Sequence, residues 1–361
     1  MNVLQPFGFL IFFNIFLVNS SSTNYAPKME EIHIKTMSST KYLVYECKFR
    51  CGGWADRLKG IMSVYALSLL TNRHFIIDIR SPCNFSHLFV PNEIDWLPPI
   101  GIDLKRKRIY KDCLNSFEPR CIEKFLIGDK KIFDEKILTL KINQEWLTFF
   151  SRNIYFQSQI LKLGFNSTKE FEFHHIFHQF YQRLFKLAPS LENKYQKMKS
   201  NLNLNNRTQI YCAQIRIGGK LSNGKLDKVI NEMNSTKLFW SFIREKFINK
   251  EVNADWRLFI TSDFESVEKE AIKEFGLNRI IRINGVNSHI DKEGKHDAND
   301  CSKTEKPMLD FHFMRNCDKA IVSNSGFGIL GMWSRKEPVK DAFVFYRGLF
   351  KPLTRTTMPF G

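Results

Sequence analysis

From Gln209 to Val322, short apolar runs alternate with amphipathic or turn-rich stretches, and this alternation limits the fold more than any other feature of the chain. Residues 210–217 read as a strand broken by Gly218 and Gly219, residues 225–248 as mainly helical, and residues 257–261 as the next strand. An acidic helix then runs to Phe275 and stops at Gly276. Residues 280–283 are another short strand, 309–316 a helix and 319–322 a strand, and Ser325 or Gly326 opens the loop into a further helix. Strands alternating with helices predict a doubly wound α/β domain of about 150 residues, with ligands beyond the carboxyl ends of its strands.

A shorter version of the pattern precedes it. Residues 42–46 read as a buried strand, the segment 47–53 supplies a turn through Gly52 and Gly53, and Trp54, Leu58, Ile61, Met62, Tyr65, Leu69 and Leu70 recur at helical spacing. Only Gly60 interrupts that helix, and residues 75–79 complete a βαβ unit. Residues 82–99 carry turn residues and scattered aromatics, and the basic cluster 105–108 reads as a solvated face. Residues 171–187 read as helical; His174 and His178 share a face there, but no acidic ligand accompanies them, so packing or a wet face is expected rather than metal. Residues 190–208 turn to Lys, Asn and Ser and read as a surface connection. The expectation is two facing αβ domains, residues 40–200 and 201–344, with a tail, 345–361, packing back on the first. The 361 residues suit one large domain or two.

Residues 7–18 form an apolar run too short to span a bilayer, followed by small polar residues. They predict a signal peptide over residues 1–22, cleaved near Ser21 or Ser22, or else a short signal anchor. No other segment reads as a membrane span. The expected location is the secretory pathway, in the endoplasmic reticulum or Golgi lumen or outside the cell. Eight cysteines and sequons at Asn84, Asn166, Asn206 and Asn234 fit that compartment, although the sequence does not set the pairing. A zinc site is not expected, because Cys47 and Cys51 have no second close pair. Lys plus Arg number 54 against 37 Asp plus Glu, a net charge of +17 that favours anionic partners. The basic residues are dispersed and form no nucleic-acid-reading motif, so nucleic acid is not an expected partner.

Three strand ends carry chemistry. Arg216 ends an otherwise apolar strand before Gly218 and Gly219, where a diphosphate would take its guanidinium and nearby backbone donors; a carboxylate partner or a solvent-facing register are the alternatives. Thr261, Ser262 and Asp263 end the next strand, either as a helix cap or beside a base or ribose. Asp310 precedes Asp318 and the strand that ends in Ser323, Asn324, Ser325, Gly326 and Phe327, an anion site at a helix start or an ordinary cap and turn. The polar stretch 284–306, with His289, Asp291, His296, Asp297 and Asp300, reads as a surface loop, or as a lid or acceptor loop.

In order and placement these segments resemble the GT-B fucosyltransferases, the group of α1,2-, α1,6- and protein O-fucosyltransferases. The resemblance rests on residues 209–220, 258–263 and 309–331, with a weaker match at 52–60, about a fifth of the chain. It implies a GT-B-like fold of two Rossmann-like domains and a metal-independent, inverting transfer of L-fucose from GDP-fucose, the donor substrate, to a glycan or glycoprotein hydroxyl, with no cofactor. It puts the arginine that binds the donor β-phosphate at Arg216. Gln214 stands where the family has His, Ile217 where it has a second Arg, and Gly219 where it has an acidic residue. Ser262 and Asp263 would contact the nucleotide, Asp310 the base or ribose, and Ser323, Asn324, Ser325, Gly326 and Phe327 the diphosphate. Gly52, Gly53 and Asp56 with Arg57 fall on the acceptor-side glycine turn, with Asp56 the candidate base. The alternative is a secreted carbohydrate- or nucleotide-binding protein without transferase activity.

Overall fold

The computed structural model describes residues 39–104, 108–114, 134–220, 225–250, 254–292 and 299–357. The expected signal peptide, residues 105–107, Cys121, His296 and Asp297 lie outside them. Among the described residues, no helix is long and apolar enough to cross a membrane.

The first half comprises β1 (Tyr42–Cys47), α1 (Trp54–Leu70), β2 (His74–Ile79), β3 (Phe89–Pro91), β4 (Arg108–Cys113), β5 (Ile137–Ile142), α2 (Leu147–Arg152), α3 (Ile154–Lys162), α4 (Phe173–Leu184), β6 (Phe185–Leu187) and α5 (Pro189–Asn201). The second comprises β7 (Gln209–Ile215), α6 (Thr236–Ile243), β8 (Trp256–Ser262), α7 (Glu265–Phe275), β9 (Ile280–Ile281), α8 (Ser302–Phe313), β10 (Lys319–Ser323), α9 (Gly326–Trp333), β11 (Ala342–Tyr346) and β12 (Leu349–Pro352). The first sheet runs β2-β1-β5-β4, and the pairings of β1 with β2 and β5 and of β4 with β5 are parallel. The second runs β12-β11-β10-β7-β8-β9, parallel except for the terminal β11–β12 hairpin. This is the two-domain α/β architecture, consistent with a GT-B-like pair of Rossmann-like domains, that the alternation predicts.

Both sheets reverse their order at one strand. β1 lies between β2 and β5, and β7 between β8 and β10, so each carboxyl end opens a crevice between loops that diverge to opposite sides. Packing holds these strands close to their helices. A Cβ at Gly60 would lie 2.1 Å from the Ile142 carbonyl oxygen, so the glycine that interrupts the helical pattern lets α1 lie against the end of β5. Trp54, at the start of α1, stacks on Phe89 at 5.4 Å and meets Phe311 of α8 edge-on at 6.2 Å, which joins the halves through a shared core. The Cys83–Cys301 disulfide also ties the halves together; Cys47–Cys51 closes the turn after β1, and Cys212–Cys317 links β7 to the segment before β10.

Three local expectations change. Residues 190–201 are not part of a surface connection: Pro189 occupies the first turn of α5, and Leu191 and Tyr195, four apart, bury one face, with Tyr195 against His312 and Phe313. Residues 225–232 are not helical, and only Thr236–Ile243 is α-helix. Leu226 and Val229 imitate a helical stripe but stand exposed, while the Ile230 N–H donates to the Ile217 carbonyl at 2.8 Å and folds this stretch back over the Gly218 turn. Of the expected helical stretch 171–187, the last three residues are instead a strand, β6, paired antiparallel with β3. In the tail, β12 returns to β11, and Arg355 reaches the first half by donating to His175 Nδ1 at 3.0 Å.

Candidate active site between the two strand ends

The turn after β7 is built from side chains that sequence order keeps apart. The Arg216 N–H donates to Ser323 Oγ at 2.8 Å, which fixes β7 to β10, and Asn231 Nδ2 bridges the Arg216 carbonyl at 2.7 Å and Ser323 Oγ at 2.9 Å. Asp263 accepts from the Ile217 N–H at 2.9 Å and the Gly218 N–H at 2.8 Å, so its carboxylate shapes the turn rather than capping the next helix. Gly218 has φ +79°, and a Cβ there would sit 1.9 Å from the Lys228 carbonyl oxygen. Both the left-handed backbone and the close approach require glycine.

The Arg216 guanidinium pairs with Asp227 and lies 3.3 Å from Asp263 Oδ2, yet its side chain remains 19% exposed at the cleft. Lys292 also donates to Asp227, at 2.5 Å. Burial pushes the Asp227 carboxyl upward, but Lys292 and Arg216 outweigh it and hold it below the usual carboxylate range. His289 Nε2 lies 4.0 Å from Asp227; burial, followed by the Arg216 charge, lowers its pKa and keeps the imidazole neutral near pH 7. Asp227 falls in the stretch misread as helix. His289 and Lys292 fall in the polar stretch that the lid alternative covered.

Behind the cleft, Lys306 of α8 is buried and contacts Asp310 Oδ2 at 2.8 Å and Glu268 at 3.3 Å. Thr261 Oγ1 donates to the same Asp310 oxygen at 2.9 Å, which leaves Oδ1 buried with no hydrogen-bond partner among the described residues. Burial raises the Asp310 pKa to about 6, against the lowering effects of Lys306 and Thr261. Ser262 Oγ accepts from the Phe264 N–H at 3.2 Å. At the start of α9, Ser325 Oγ accepts from the Gly328 N–H at 3.3 Å and donates to Gln214 Oε1 at 3.2 Å, while the Asn324 N–H donates to the Phe345 carbonyl. Gln214, at the position the resemblance gives to His, thus holds the helix start in place.

The opposing wall is the start of α1. Asp56 Oδ2 caps the helix by accepting from the Gly53 N–H at 3.0 Å, and Oδ1 pairs with Lys59 at 2.8 Å, so both oxygens are engaged. Arg57 is buried, and donates to the Gly52 and Ser81 carbonyls and to Asp291 at 3.3 Å. Asp291 also accepts from the Cys51 N–H at 2.9 Å, which clamps the loop after β9 onto the first half.

These groups meet in one cleft. A cavity of about 320 Å³ is lined by Gly52, Gly53, Trp54 and Asp56 on one side and by Arg216, Ser262, Asp263, Asp310, Ser325, Gly326 and Phe327 on the other, with His289 and Asp291 at its edge. A second cavity of about 550 Å³ adjoins it through Arg216, Asp263 and His289, and extends past Lys220, Arg282 and Lys306. Ser323 and Asn324 do not line either cavity and act in the strand framework. Among the described residues, no group of three or more His, Cys, Asp or Glu side chains is arranged to hold a metal ion.

The fold is similar to that of an arginine-to-lysine mutant of Arabidopsis thaliana FUT1 in complex with GDP, at 15% identity and TM-score 0.60, covering 90% of this chain and 75% of that one. Fucosyltransferase NodZ from Bradyrhizobium superposes with TM-score 0.47 at 11% identity, over 87% of this chain and 99% of that one. POFUT1 in complex with GDP superposes with TM-score 0.46 at 10% identity, over 84% and 98%. Neither a protein-family model nor a curated protein matches the sequence. The likeness to the FUT1 structure is one of fold, consistent with a GT-B-like pair of Rossmann-like domains.

Proposed function

We propose that this chain is a fucosyltransferase that moves L-fucose from GDP-fucose to a hydroxyl of a glycan or glycoprotein, with inversion and without a metal ion. The observation that carries this reading is the convergence, at the switch point between β7 and β10, of Arg216, the start of α9 and the unpartnered Asp310 Oδ1 in one cleft. Each suits a different part of the donor. The guanidinium and the helix start favour a diphosphate. Asp310 Oδ1, an acceptor without a donor, suits a base that presents N–H groups, as guanine does.

In the reaction, an acceptor hydroxyl oxygen attacks the anomeric carbon from the face opposite the diphosphate. The bond from that carbon to the phosphate oxygen breaks, and its electron pair leaves with GDP. Arg216 opposes the negative charge that develops on the leaving group, which stabilises the transition state more than the intact donor. The acceptor proton passes to a base in the cleft. Asp56 is the base implied by the resemblance but is committed to Gly53 and Lys59, and in the same cleft the Nδ1 of neutral His289 accepts from the Asp291 N–H at 3.2 Å. Secretory entry, at a location in the endoplasmic reticulum or Golgi or outside the cell, belongs to this proposal.

One observation favours the second reading, nucleotide or carbohydrate binding without transfer: Arg216 already faces two carboxylates, Asp227 and Asp263. Incubation with GDP-fucose and an array of glycan and glycoprotein acceptors, followed by linkage analysis, separates the two. Transfer with release of GDP supports the enzyme; saturable GDP-fucose binding with no product on any acceptor supports the binding protein.

A further inference from the structure

A third cavity lies apart from the nucleotide cleft, at the opposite end of α9. It measures about 320 Å³ and opens between α4, α5 and the turn Met314–Asn316 that follows α8. The cleft receives the start of α9 at Gly326, and this cavity receives Ser334 just beyond its end; eight helical residues separate the two by about 12 Å.

Its charge is positive and little neutralised. Lys199, Arg315 and Lys336 line it against one carboxylate, Glu192, which already accepts from Gln196 at 2.6 Å. Arg315 lies over the Tyr181 ring at 5.7 Å and Lys199 over the Tyr195 ring at 5.6 Å, so aromatic faces hold these two cations and leave their N–H donors available. Such a group of cations calls for an oxyanion.

The remaining lining adds a second requirement. His178 Nδ1 lies 2.8 Å from the Ser334 carbonyl, which can only accept, so this nitrogen carries the proton and Nε2 is left as an acceptor. His312 packs edge-on against Tyr195 at 4.9 Å, and its Nδ1 is buried with no hydrogen-bond partner among the described residues. Burial, with Arg315 and Lys199 adding to it, lowers the His312 pKa to about 3, so this ring is also neutral and adds no charge to the cavity. A fully ionised inorganic oxyanion such as sulfate uses only donors. A ligand that satisfies both sets carries an oxyanion together with hydroxyl groups.

We propose that this cavity binds an acidic saccharide, with Lys199 and Arg315 on its sulfate or carboxylate group and His178 on a sugar hydroxyl. This site is independent of the transferase reading. Calorimetry on the full chain tests it, with a sulfated disaccharide, a glucuronate-containing disaccharide and a neutral disaccharide as probes. Arg216→Gln is carried throughout, so that oxyanion binding in the nucleotide cleft is removed. One-to-one binding of an acidic disaccharide is expected, with the neutral one at least about tenfold weaker. Lys199→Gln and Arg315→Gln should each weaken the acidic ligand by about tenfold, the effect of one charge-assisted contact. The stronger acidic probe identifies the anion. Because Lys199 is exposed, its substitution keeps the test valid even if Arg315→Gln unfolds the chain. Absence of binding, equal affinity for neutral and acidic probes, or affinity unchanged in Lys199→Gln would overturn the proposal.

Discussion

Beyond β1 the chain turns through Gly52 and Gly53 and uses its charges internally: Asp56 caps its own helix, and Arg57, 1% exposed, ties the turn to Ser81 and Asp291. Beyond β7 it turns through Gly218 and Gly219, and there Asp263 and Ser323 hold the backbone while Arg216 keeps 19% of its side chain open to the cleft. The topology is the same at both strand ends. In the second half, neighbouring segments supply the groups that support the turn, and its own arginine, though paired with Asp227 and Asp263, keeps part of its side chain open to the cleft. In the first half the turn's own charged residues are engaged in holding it, Asp56 on the Gly53 N–H and Arg57 on Ser81 and Asp291, and it contributes a wall.

The largest effect is expected where the second half relies on one buried cation. Lys306→Met leaves Asp310 and Glu268 buried without it and should lower stability by about 3–5 kcal/mol, measured by denaturant unfolding. A loss below about 1 kcal/mol would show that this network does not support the strand ends. Arg216→Ala should reduce fucose transfer by about 100-fold or more, measured where the variant is fully folded. Arg216→Lys should recover little of that loss, since an ammonium does not reproduce a planar fork; full recovery would reduce Arg216 to a point charge.

The third test is pH. The Asp310 pKa is raised to about 6, so its ionised form, the one that accepts from a base on Oδ1, is lost as pH falls through that value. GDP affinity should be level above pH 6 and fall by about tenfold per unit below it, and Asp310→Asn should remove this dependence. A slope that persists in the variant would assign the titration to another group. The smallest effect belongs to the first half: Asp56→Ala should cost about 1 kcal/mol of stability through the lost cap. If it abolished transfer while the protein stayed folded, the wall would be catalytic and the contrast between the two turns would fail.

Much of this plan is legible in the sequence because strands buried on both faces leave continuous apolar runs, and their polar ends then stand out. Arg216, Ser262 and Ser325, which line the cleft, stand out in this way. Asp227 is not, because Leu226, Val229 and Met233 mimic one face of a helix, and only the return of Ile230 to Ile217 reveals a folded-back strap. The role of Asp263 is equally hidden: a capping residue and a residue that binds N–H groups in the turn after the neighbouring strand look alike in one dimension. α5 is missed because two anchors, Leu191 and Tyr195, suffice to dock a helix whose other residues are mostly polar. The Arg57–Asp291 clamp joins residues 234 positions apart, beyond the reach of any local pattern.

Calorimetric titration of the folded chain with GDP, alongside Arg216→Ala, tests the central claim most directly, namely that the cleft between the two strand ends is a guanine-nucleotide site with Arg216 on the diphosphate. The account predicts one-to-one binding to the parent and affinity lower by about tenfold or more in the variant. Folded parent protein that takes up no GDP, or equal affinity in the two proteins, would contradict it.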